Sequence, residues 1–244
     1  MEKNITDMIE WLQLQVKKAH VNGLLVGVSG GLDSAVIACL IKRAFPDDSL
    51  AVMMPLKSSE EDMRDALRIV EKIDIEHMTI DLTETHETLF TEIQKQFTAC
   101  VETDNPLTDA NLRARLRMST LYTIASQRNY MVVGTDNASE WFTGYFTKYG
   151  DGGVDILPLV EYTKHEVRQM AETLGVPQEI INKKPSAGLW EGQTDEQEMG
   201  TTYAKIDAYL NDEEVPEQDR ERIINMHRKT EHKRRIPTQY HRKD

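Results

Sequence analysis

The sequence LLVGVSGGLDSAVIACLI occupies residues 24–41 and joins a short apolar run, a pair of glycines and a longer apolar run. Leu24–Val28 has the length of a buried strand, and Ser34–Phe45 is apolar at nearly every position until Pro46 ends it. This order predicts a strand, a glycine turn and a buried helix. In an open parallel sheet such a turn lies at the carboxyl end of a strand, where ligands bind.

Strands and helices alternate on both sides of this stretch. Three further strands are expected, at Leu50–Met54, Glu76–Ile80 and Tyr130–Gly134. Helices are expected at Asn4 to about Val21, from the Ser58 and Glu61 capping box to about Ile73, at Glu84–Ala99, at Leu107–Gln127 and after the Thr163 and Glu166 capping box. The alternation predicts an α/β fold, a doubly wound parallel sheet with helices on both faces. Helices near Thr201–Leu210 and Pro216–Lys229 would form a C-terminal extension of one domain covering residues 1–244.

The overall charge argues against a polynucleotide partner. The 244 residues include 41 acidic and 29 basic side chains, a net charge of -12 that would repel a nucleic-acid backbone. No apolar stretch approaches the roughly 18 residues of a membrane helix, and Met1–Thr6 does not resemble an export signal. Cys39 and Cys100 make neither a disulfide framework nor a zinc set. We expect a cytoplasmic protein that binds neither nucleic acid nor membrane.

The glycine turn GVSGGLDS, residues 27–34, is suited to a phosphate. Glycines let the backbone approach the ligand, and the start of the following helix adds a partial positive charge. The turn lacks the lysine of the G-x-x-x-x-G-K-S/T loop, and its glycine spacing differs from G-x-G-x-x-G. It resembles the pyrophosphate-binding loop of the ATP pyrophosphatases, which split ATP to AMP and pyrophosphate while forming an adenylate.

Four other motifs resemble one branch of that superfamily, the ammonia-dependent NAD synthetases. These motifs are NLRARLRM (111–118), GTDNASE (134–140), GYFTKYGDGGVDI (144–156) and TEHKRR (230–235). The resemblance implies an adenine nucleotide alpha hydrolase-like fold and the ATP-dependent amidation of deamido-NAD by ammonia, with Mg²⁺, through an NAD-adenylate. It also implies a homodimer that binds the dinucleotide across the subunit interface.

The resemblance assigns roles to individual residues. The implied ATP contacts are Gly27, Val28, Ser29, Gly30, Gly31, Leu32, Asp33, Ser34, Thr135, Lys164 and Ser186, and the implied deamido-NAD contacts are Arg115, Lys148, Asp155, His232 and Lys233. Asp33 and Glu140 are implied Mg²⁺ ligands, and with Lys164 they form the expected catalytic set. We place Asp33 at the end of the first strand and Glu140 just past the strand at Tyr130–Gly134, so that both carboxylates meet at one sheet edge.

Several residues also have a purely structural interpretation. Glu140 could be a solvated helical acid, and Lys164 could serve only as the first helical residue after Thr163. Arg113 and Arg117 are expected to form structural ion pairs. The basic tail, residues 227–244, is either a solvated segment or one that folds back onto the dinucleotide. Asn137, Leu32 and Ser186 stand where many relatives carry histidine, glutamine and threonine.

Other functions are compatible with the same loop. The chain could be another adenylating amidotransferase or thiolase, or a module that binds ATP without turnover. Ammonia is the expected nitrogen donor, and a separate glutaminase subunit could deliver it. Residues 183–198, rich in Gly, Ser, Asp and Gln and including Leu189 and Trp190, are expected to form a lid that substrate orders.

Overall fold

A computed structural model describes residues 1–97, 105–186 and 193–242. Four strands lie in these parts of the chain: β1 (Gly23–Gly27), β2 (Ser49–Met53), β3 (Glu76–Thr79) and β4 (Tyr130–Val132). The α-helices are α1 (Glu2–Ala19), α2 (Leu32–Ala44), α3 (Glu60–Lys72), α4 (Thr83–Gln96), α5 (Pro106–Arg128), α6 (Ala138–Thr143), α7 (Lys164–Leu174), α8 (Gln178–Ile181), α9 (Asp195–Met199), α10 (Tyr203–Leu210) and α11 (Glu217–Lys229). None of the helices described is long and apolar enough to cross a membrane.

The strands form a parallel sheet in the order β3-β2-β1-β4. Leu25 of β1 pairs with Leu50 on one side and with Val132 on the other. A single parallel bridge from Val133 to Ile156 extends the edge beyond β4. From β1 the chain continues to β2 and β3 on one side of the sheet, whereas β4 pairs with β1 on the other side. A crevice therefore opens outside the carboxyl ends of β1 and β4.

Helices cover both faces of the sheet, as predicted. On one face Leu12, Ile37 and Val167, from α1, α2 and α7, belong to one apolar core. On the other face Ile124 of α5 packs in a second core with Leu25. Because β1 is buried on both faces, its sequence is a continuous apolar run rather than an alternation of apolar and polar residues.

The C-terminal extension packs beside the crevice. Met199, Tyr203, Ile206 and Ile223 form a third apolar cluster, against which Phe142 of α6 packs. This packing brings α9 and α10 next to the segment that follows β4. Of the predicted loop, residues 183–186, Asp195 and Glu198 line the crevice. Residues 195–198 are not a loop, because they begin α9, which Thr194 caps. Residues 187–192, including Leu189 and Trp190, lie outside the described residues.

Two local predictions were wrong. The N-cap of α3 is Ser59, whose Oγ accepts from the Asp62 N–H at 3.0 Å. Ser58 instead accepts from the Leu56 N–H, because the chain is still turning there. Asp33 does not end the first strand but lies in the first turn of α2, since the glycine turn separates it from Gly27. The capping box of Thr163 and Glu166 is confirmed.

Candidate active site

The glycine turn is held in shape by its own serines. Ser34 Oγ donates to the Gly31 carbonyl at 3.0 Å, and Ser29 Oγ accepts from the Gly31 N–H at 3.2 Å. Gly30 has φ +85°, and a Cβ there would lie 2.2 Å from the Asp62 carbonyl oxygen, so only glycine fits. No described side chain caps α2. The N–H groups of its first turn therefore remain available to an anion.

Lys164 joins the two carboxylates that were predicted to meet. Its Nζ lies 2.5 Å from Asp33 Oδ2 and 3.0 Å from Glu140 Oε1, and the residue is only 5% exposed. Burial alone would favour the neutral amine, but the two carboxylates raise the pKa of Lys164 above its ordinary value. Lys164 is the first residue of α7 after the Thr163 cap, as its structural interpretation requires. Its side chain also reaches the crevice, as the predicted catalytic role requires.

Glu140 is held from three sides. It lies in the first turn of α6, where it completes a capping box with Asn137. The Tyr203 hydroxyl lies 2.9 Å from Glu140 Oε1 and 3.0 Å from Asp195 Oδ2. Burial raises the pKa of Glu140 to about 7, while Lys164 and Tyr203 oppose that increase. Glu140 is thus part of a buried network and is not a solvated helical acid.

Tyr203 belongs to a chain of polar contacts that leads away from Glu140. Asp195 also accepts from the Tyr145 hydroxyl, at 3.2 Å, and that hydroxyl accepts from Gln193 Nε2 at 2.9 Å. Ser186 donates to Gln193 Oε1 at 3.1 Å. The predicted ATP contact at Ser186 is therefore linked, through described side chains, to the predicted metal ligand Glu140.

The glycine turn, Glu140 and Lys164 face a cavity of about 570 Å³. Among the predicted ATP contacts, those that line it are Gly27, Val28, Ser29, Gly31, Leu32, Asp33, Ser34, Thr135, Lys164 and Ser186. Gly30 does not line the cavity, but its positive φ shapes the turn. Glu140 and Lys233 also line the cavity. Nearly all of the predicted nucleotide site is therefore brought together in one place.

Most of the predicted dinucleotide contacts lie together outside that lining. Arg115 Nη2 lies 3.4 Å from the Lys148 carbonyl oxygen, and Lys148 Nζ donates to the His232 carbonyl at 2.6 Å. Lys233 Nζ donates to the carbonyls of Gly144 and Phe146 at 2.8 and 2.6 Å. The four basic residues Arg115, Lys148, His232 and Lys233 thus form one continuous group.

Asp155 lies apart from these basic residues. It accepts from the Val132 N–H at 2.8 Å and from the Tyr122 hydroxyl at 3.0 Å. It therefore ties the end of β4 to α5, and its exposed carboxylate lies at this edge of the sheet.

The basic tail has two parts. Thr230 donates to the Thr143 carbonyl at 3.0 Å, and Arg234 donates to the Trp141 carbonyl at 3.1 Å, so the tail folds back onto α6 as far as Arg234. Beyond that point Ile236 is 79% and Tyr240 88% exposed, so the remainder that is described behaves as a solvated segment.

Arg113 and Arg117, which lie on either side of Arg115 in the sequence of α5, make structural contacts. Arg113 Nε lies 2.9 Å from Asp109 Oδ2, the ion pair that was predicted. For Arg117 the predicted ion pair is wrong: it donates to the backbone carbonyls of Met54 and Leu56, both at 3.2 Å. Successive arginines two residues apart point in different directions on a helix, which leaves Arg115 facing Lys148.

Asp136 is a cavity residue that the sequence did not reveal. It is 4% exposed, and among the described residues its Oδ2 has no hydrogen-bond partner. Burial, together with the charges of Asp151, Glu140 and Asp33, raises the pKa of Asp136 well above its ordinary value. Only its position inside the motif GTDNASE could have drawn attention to it.

The carboxylates around Lys164 are suited to a divalent cation. Asp33 and Glu140 both contact Lys164, and Asp136 lies near them with an Oδ2 that has no hydrogen-bond partner among the described residues. Lys164 Nζ marks a point that both Asp33 and Glu140 can reach. No cluster of three or more His, Cys, Asp and Glu side chains in the described parts could hold a metal alone. Mg²⁺ commonly needs only one or two carboxylates, because phosphate oxygens and water complete its shell.

Comparison with known proteins identifies the family of this chain. The family model described as NAD synthase matches residues 4–237. The NH(3)-dependent NAD(+) synthetase of Alkaliphilus oremlandii is 53% identical over 243 residues, which cover 97% of this chain and 96% of that protein.

Two solved structures are similar over nearly the full length. The NMN synthetase of Francisella tularensis is 40% identical, has a TM-score of 0.93 and is matched over 98% of both chains. The NH3-dependent NAD synthetase of Campylobacter jejuni is 28% identical, with a TM-score of 0.78 and 98% of both chains matched. The chain therefore belongs to the NAD synthase family.

Proposed function

We propose that this chain catalyses the ATP-dependent amidation of deamido-NAD by ammonia, giving NAD, AMP and pyrophosphate. The observation that carries the proposal is the position of Lys164, between Asp33 and Glu140 at the mouth of the glycine turn. Such a site fits a reaction in which pyrophosphate leaves from ATP. The names of the curated relatives support the same reaction, since those from Alkaliphilus, Mesoplasma and Malacoplasma, 40–53% identical to this chain, are NH(3)-dependent NAD(+) synthetases.

The reaction requires positioning and charge stabilisation rather than an enzyme nucleophile. The nicotinate carboxylate of the substrate attacks the α-phosphorus, pyrophosphate leaves, and ammonia then displaces AMP from the acyl adenylate. The N–H groups of the glycine turn and the positive end of α2 would hold the departing phosphates. Lys164 keeps its proton, because two carboxylates face it, and therefore supplies a fixed positive charge. Mg²⁺, held with ATP by Asp33 and Glu140, would neutralise charge that develops on the pyrophosphate.

The basic group, of which only Lys233 lines the cavity among the described residues, is proposed to bind the dinucleotide. Arg115, Lys148, His232 and Lys233 are linked to one another and supply positive charge in a chain that is acidic overall. We propose that Asp155 contacts the same substrate and that a second copy of the chain completes the site. Sedimentation of the purified protein should then give a dimer, whereas an active monomer would contradict this assembly.

The reaction is tested with purified protein, ATP, Mg²⁺, ammonium and deamido-NAD. We expect AMP and NAD to form one for one and only when deamido-NAD is present. ADP as the product would contradict attack at the α-phosphorus. Replacing ammonium with glutamine should abolish turnover unless a glutaminase subunit is added. We place this reaction in the cytoplasm, where ATP and ammonium are available.

The amidation of nicotinate mononucleotide is a second candidate. The NMN synthetase of Francisella tularensis has a TM-score of 0.93 with this chain, higher than the 0.78 of the Campylobacter jejuni NAD synthetase. Both substrates carry the same reacting carboxylate, so the site around Lys164 would serve either. The ratio of kcat/KM for the two substrates decides between them: we expect deamido-NAD to be preferred, and a preference for the mononucleotide would favour the second candidate.

A further inference from the structure

Asn137 contacts both of the carboxylates that form the proposed metal site. The residue is fully buried and is the N-cap of α6. Its Nδ2 donates to Asp33 Oδ1 at 2.9 Å, and its backbone N–H lies 3.4 Å from Glu140 Oε2. Asp33 follows β1 and Glu140 follows β4, so Asn137 connects the carboxyl ends of two neighbouring strands.

The orientation of the Asn137 amide is determined by its surroundings. Its Oδ1 accepts from the N–H groups of Ser139 and Glu140 at 3.0 and 3.1 Å, which leaves Nδ2 directed at Asp33. An acceptor oxygen cannot take the place of this N–H beside a carboxylate. The side chain is short and both of its polar atoms are engaged, so it can hold Asp33 with little loss of conformational entropy.

Asn137 and Lys164 use different oxygens of Asp33. Lys164 contacts Oδ2, and it shares its charge with Glu140, whereas Asn137 donates to Oδ1. A cation bound by both carboxylates would compete with Lys164 for the same oxygens. The hydrogen bond from Asn137 uses the other oxygen of Asp33 and is not subject to that competition.

We propose that Asn137 is a positioning residue: it fixes the side chain of Asp33 relative to Glu140, and thereby sets how tightly the site binds Mg²⁺ together with the nucleotide. The inference rests on the proposed function for the identity of the cation.

The test measures the Mg²⁺ concentration that gives half-maximal binding of α,β-methylene-ATP, by calorimetry, in the wild-type chain and in Asn137→Ser. Serine is a good N-cap, so α6 keeps its cap, but serine is too short to reach Asp33. Loss of a hydrogen bond to a charged group predicts a rise of about tenfold in that Mg²⁺ concentration. The half-saturating Mg²⁺ concentration for turnover should rise by a similar factor, while the KM for deamido-NAD stays the same.

Asn105→Ser is the matched control, because Asn105 is the N-cap of α5 and accepts from the Leu107 N–H at 3.0 Å. It loses the same amide without the bond to Asp33, so its Mg²⁺ dependence should equal that of the wild type. If Asn137→Ser does not fold, Asn137→Thr replaces it, since threonine also caps helices and fills more of the buried space.

An unchanged Mg²⁺ dependence in the folded Asn137 variant, or an equal shift in Asn105→Ser, would overturn the proposal. Calorimetry measures nucleotide binding and requires no turnover, so the role of Asn137 and the proposed reaction can be refuted independently of each other. A wild-type chain that binds the nucleotide with Mg²⁺ but makes no amide would refute the proposed function alone. A wild-type chain whose nucleotide binding does not depend on Mg²⁺ would refute the role of Asn137.

Discussion

The two sides of the cavity are built in different ways. One side is the glycine turn, a single short segment at residues 27–34, and it presents backbone N–H groups whose positions depend on glycine conformation. The other side comes from α6 and α7, and it presents the side chains of Glu140 and Lys164, with Tyr203 of α10 in contact with Glu140. The first side should therefore be sensitive to backbone shape, and the second to the loss of single polar atoms.

The largest effect on activity is expected from Lys164→Met, on the side of the cavity that consists of buried side chains. This change leaves Asp33 and Glu140 facing each other without a cation between them, and breaking a buried ion pair in this way costs about 3–5 kcal/mol. We expect kcat to fall by roughly 10³-fold, as for the loss of a preorganised charge in other active sites.

Lys205→Met is the control for that variant. Lys205 also forms an ion pair, 2.8 Å from Asp219, but its side chain is 41% exposed and lies away from the cavity. Its activity should stay within about twofold of the wild type, because exposed ion pairs contribute little. A Lys164 variant with comparable activity would show that the fixed charge is dispensable.

The next effect concerns the backbone side, through Gly30→Ala. A Cβ at Gly30 would meet the Asp62 carbonyl oxygen at 2.2 Å, so the turn must shift. We expect the affinity for α,β-methylene-ATP, measured by calorimetry, to fall by roughly 100-fold because the N–H groups would move off the phosphates.

Gly175→Ala separates conformational strain from displacement of the turn. Gly175 has a similar φ, +77°, but nothing lies within 4 Å of an added Cβ. It should lose only about 1 kcal/mol of unfolding free energy, as strain in this backbone region costs. Equal nucleotide affinities in the two variants would mean that the turn does not bind phosphate.

A moderate effect is expected from Tyr203→Phe. The variant keeps the ring but removes the hydroxyl that lies between Glu140 and Asp195. A fall of about tenfold in kcat is expected, because a buried carboxylate loses one hydrogen-bond donor. Tyr209→Phe on the same helix provides the comparison and should resemble the wild type; kinetics in which both variants match the wild type would place Glu140 outside the catalytic step.

The smallest effect is expected from Lys148→Met, in the group proposed to bind the dinucleotide. Lys148 is half-buried and donates to the His232 carbonyl, so its loss weakens one partly solvated contact. The KM for deamido-NAD should rise about threefold to tenfold, while the KM for ATP stays constant. Lys229→Met, which removes an exposed lysine of the basic tail, should change neither value. A change in the KM for ATP of the Lys148 variant would instead place Lys148 beside the nucleotide.

The same contrast explains which features the sequence could predict. The glycine turn is contiguous, so its conformation and its position after β1 follow from residues 27–34 alone. The meeting of Asp33 and Glu140 follows from the adjacency of β1 and β4, even though Asp33 begins a helix rather than ending a strand. These features depend on local pattern and strand order.

Features that depend on tertiary packing could not be predicted. Lys164 follows a helix cap, and only the position of α7 against the sheet decides that its side chain reaches Asp33. Tyr203 reaches Glu140 because α10 packs beside α6, across more than sixty residues of sequence. Arg117 was expected to form an ion pair with an acidic side chain. It donates instead to the backbone carbonyls of Met54 and Leu56, just after β2, which would otherwise lack these hydrogen bonds.

Isotope transfer tests the proposed chemistry most directly. Deamido-NAD labelled with ¹⁸O in its nicotinate carboxylate is converted with ATP, Mg²⁺ and ammonium, and the AMP and pyrophosphate are analysed by mass spectrometry. If the substrate carboxylate attacks the α-phosphorus, each AMP acquires one ¹⁸O and the pyrophosphate acquires none. Unlabelled AMP, or label in the pyrophosphate, would contradict the adenylate on which the function proposed for this site depends.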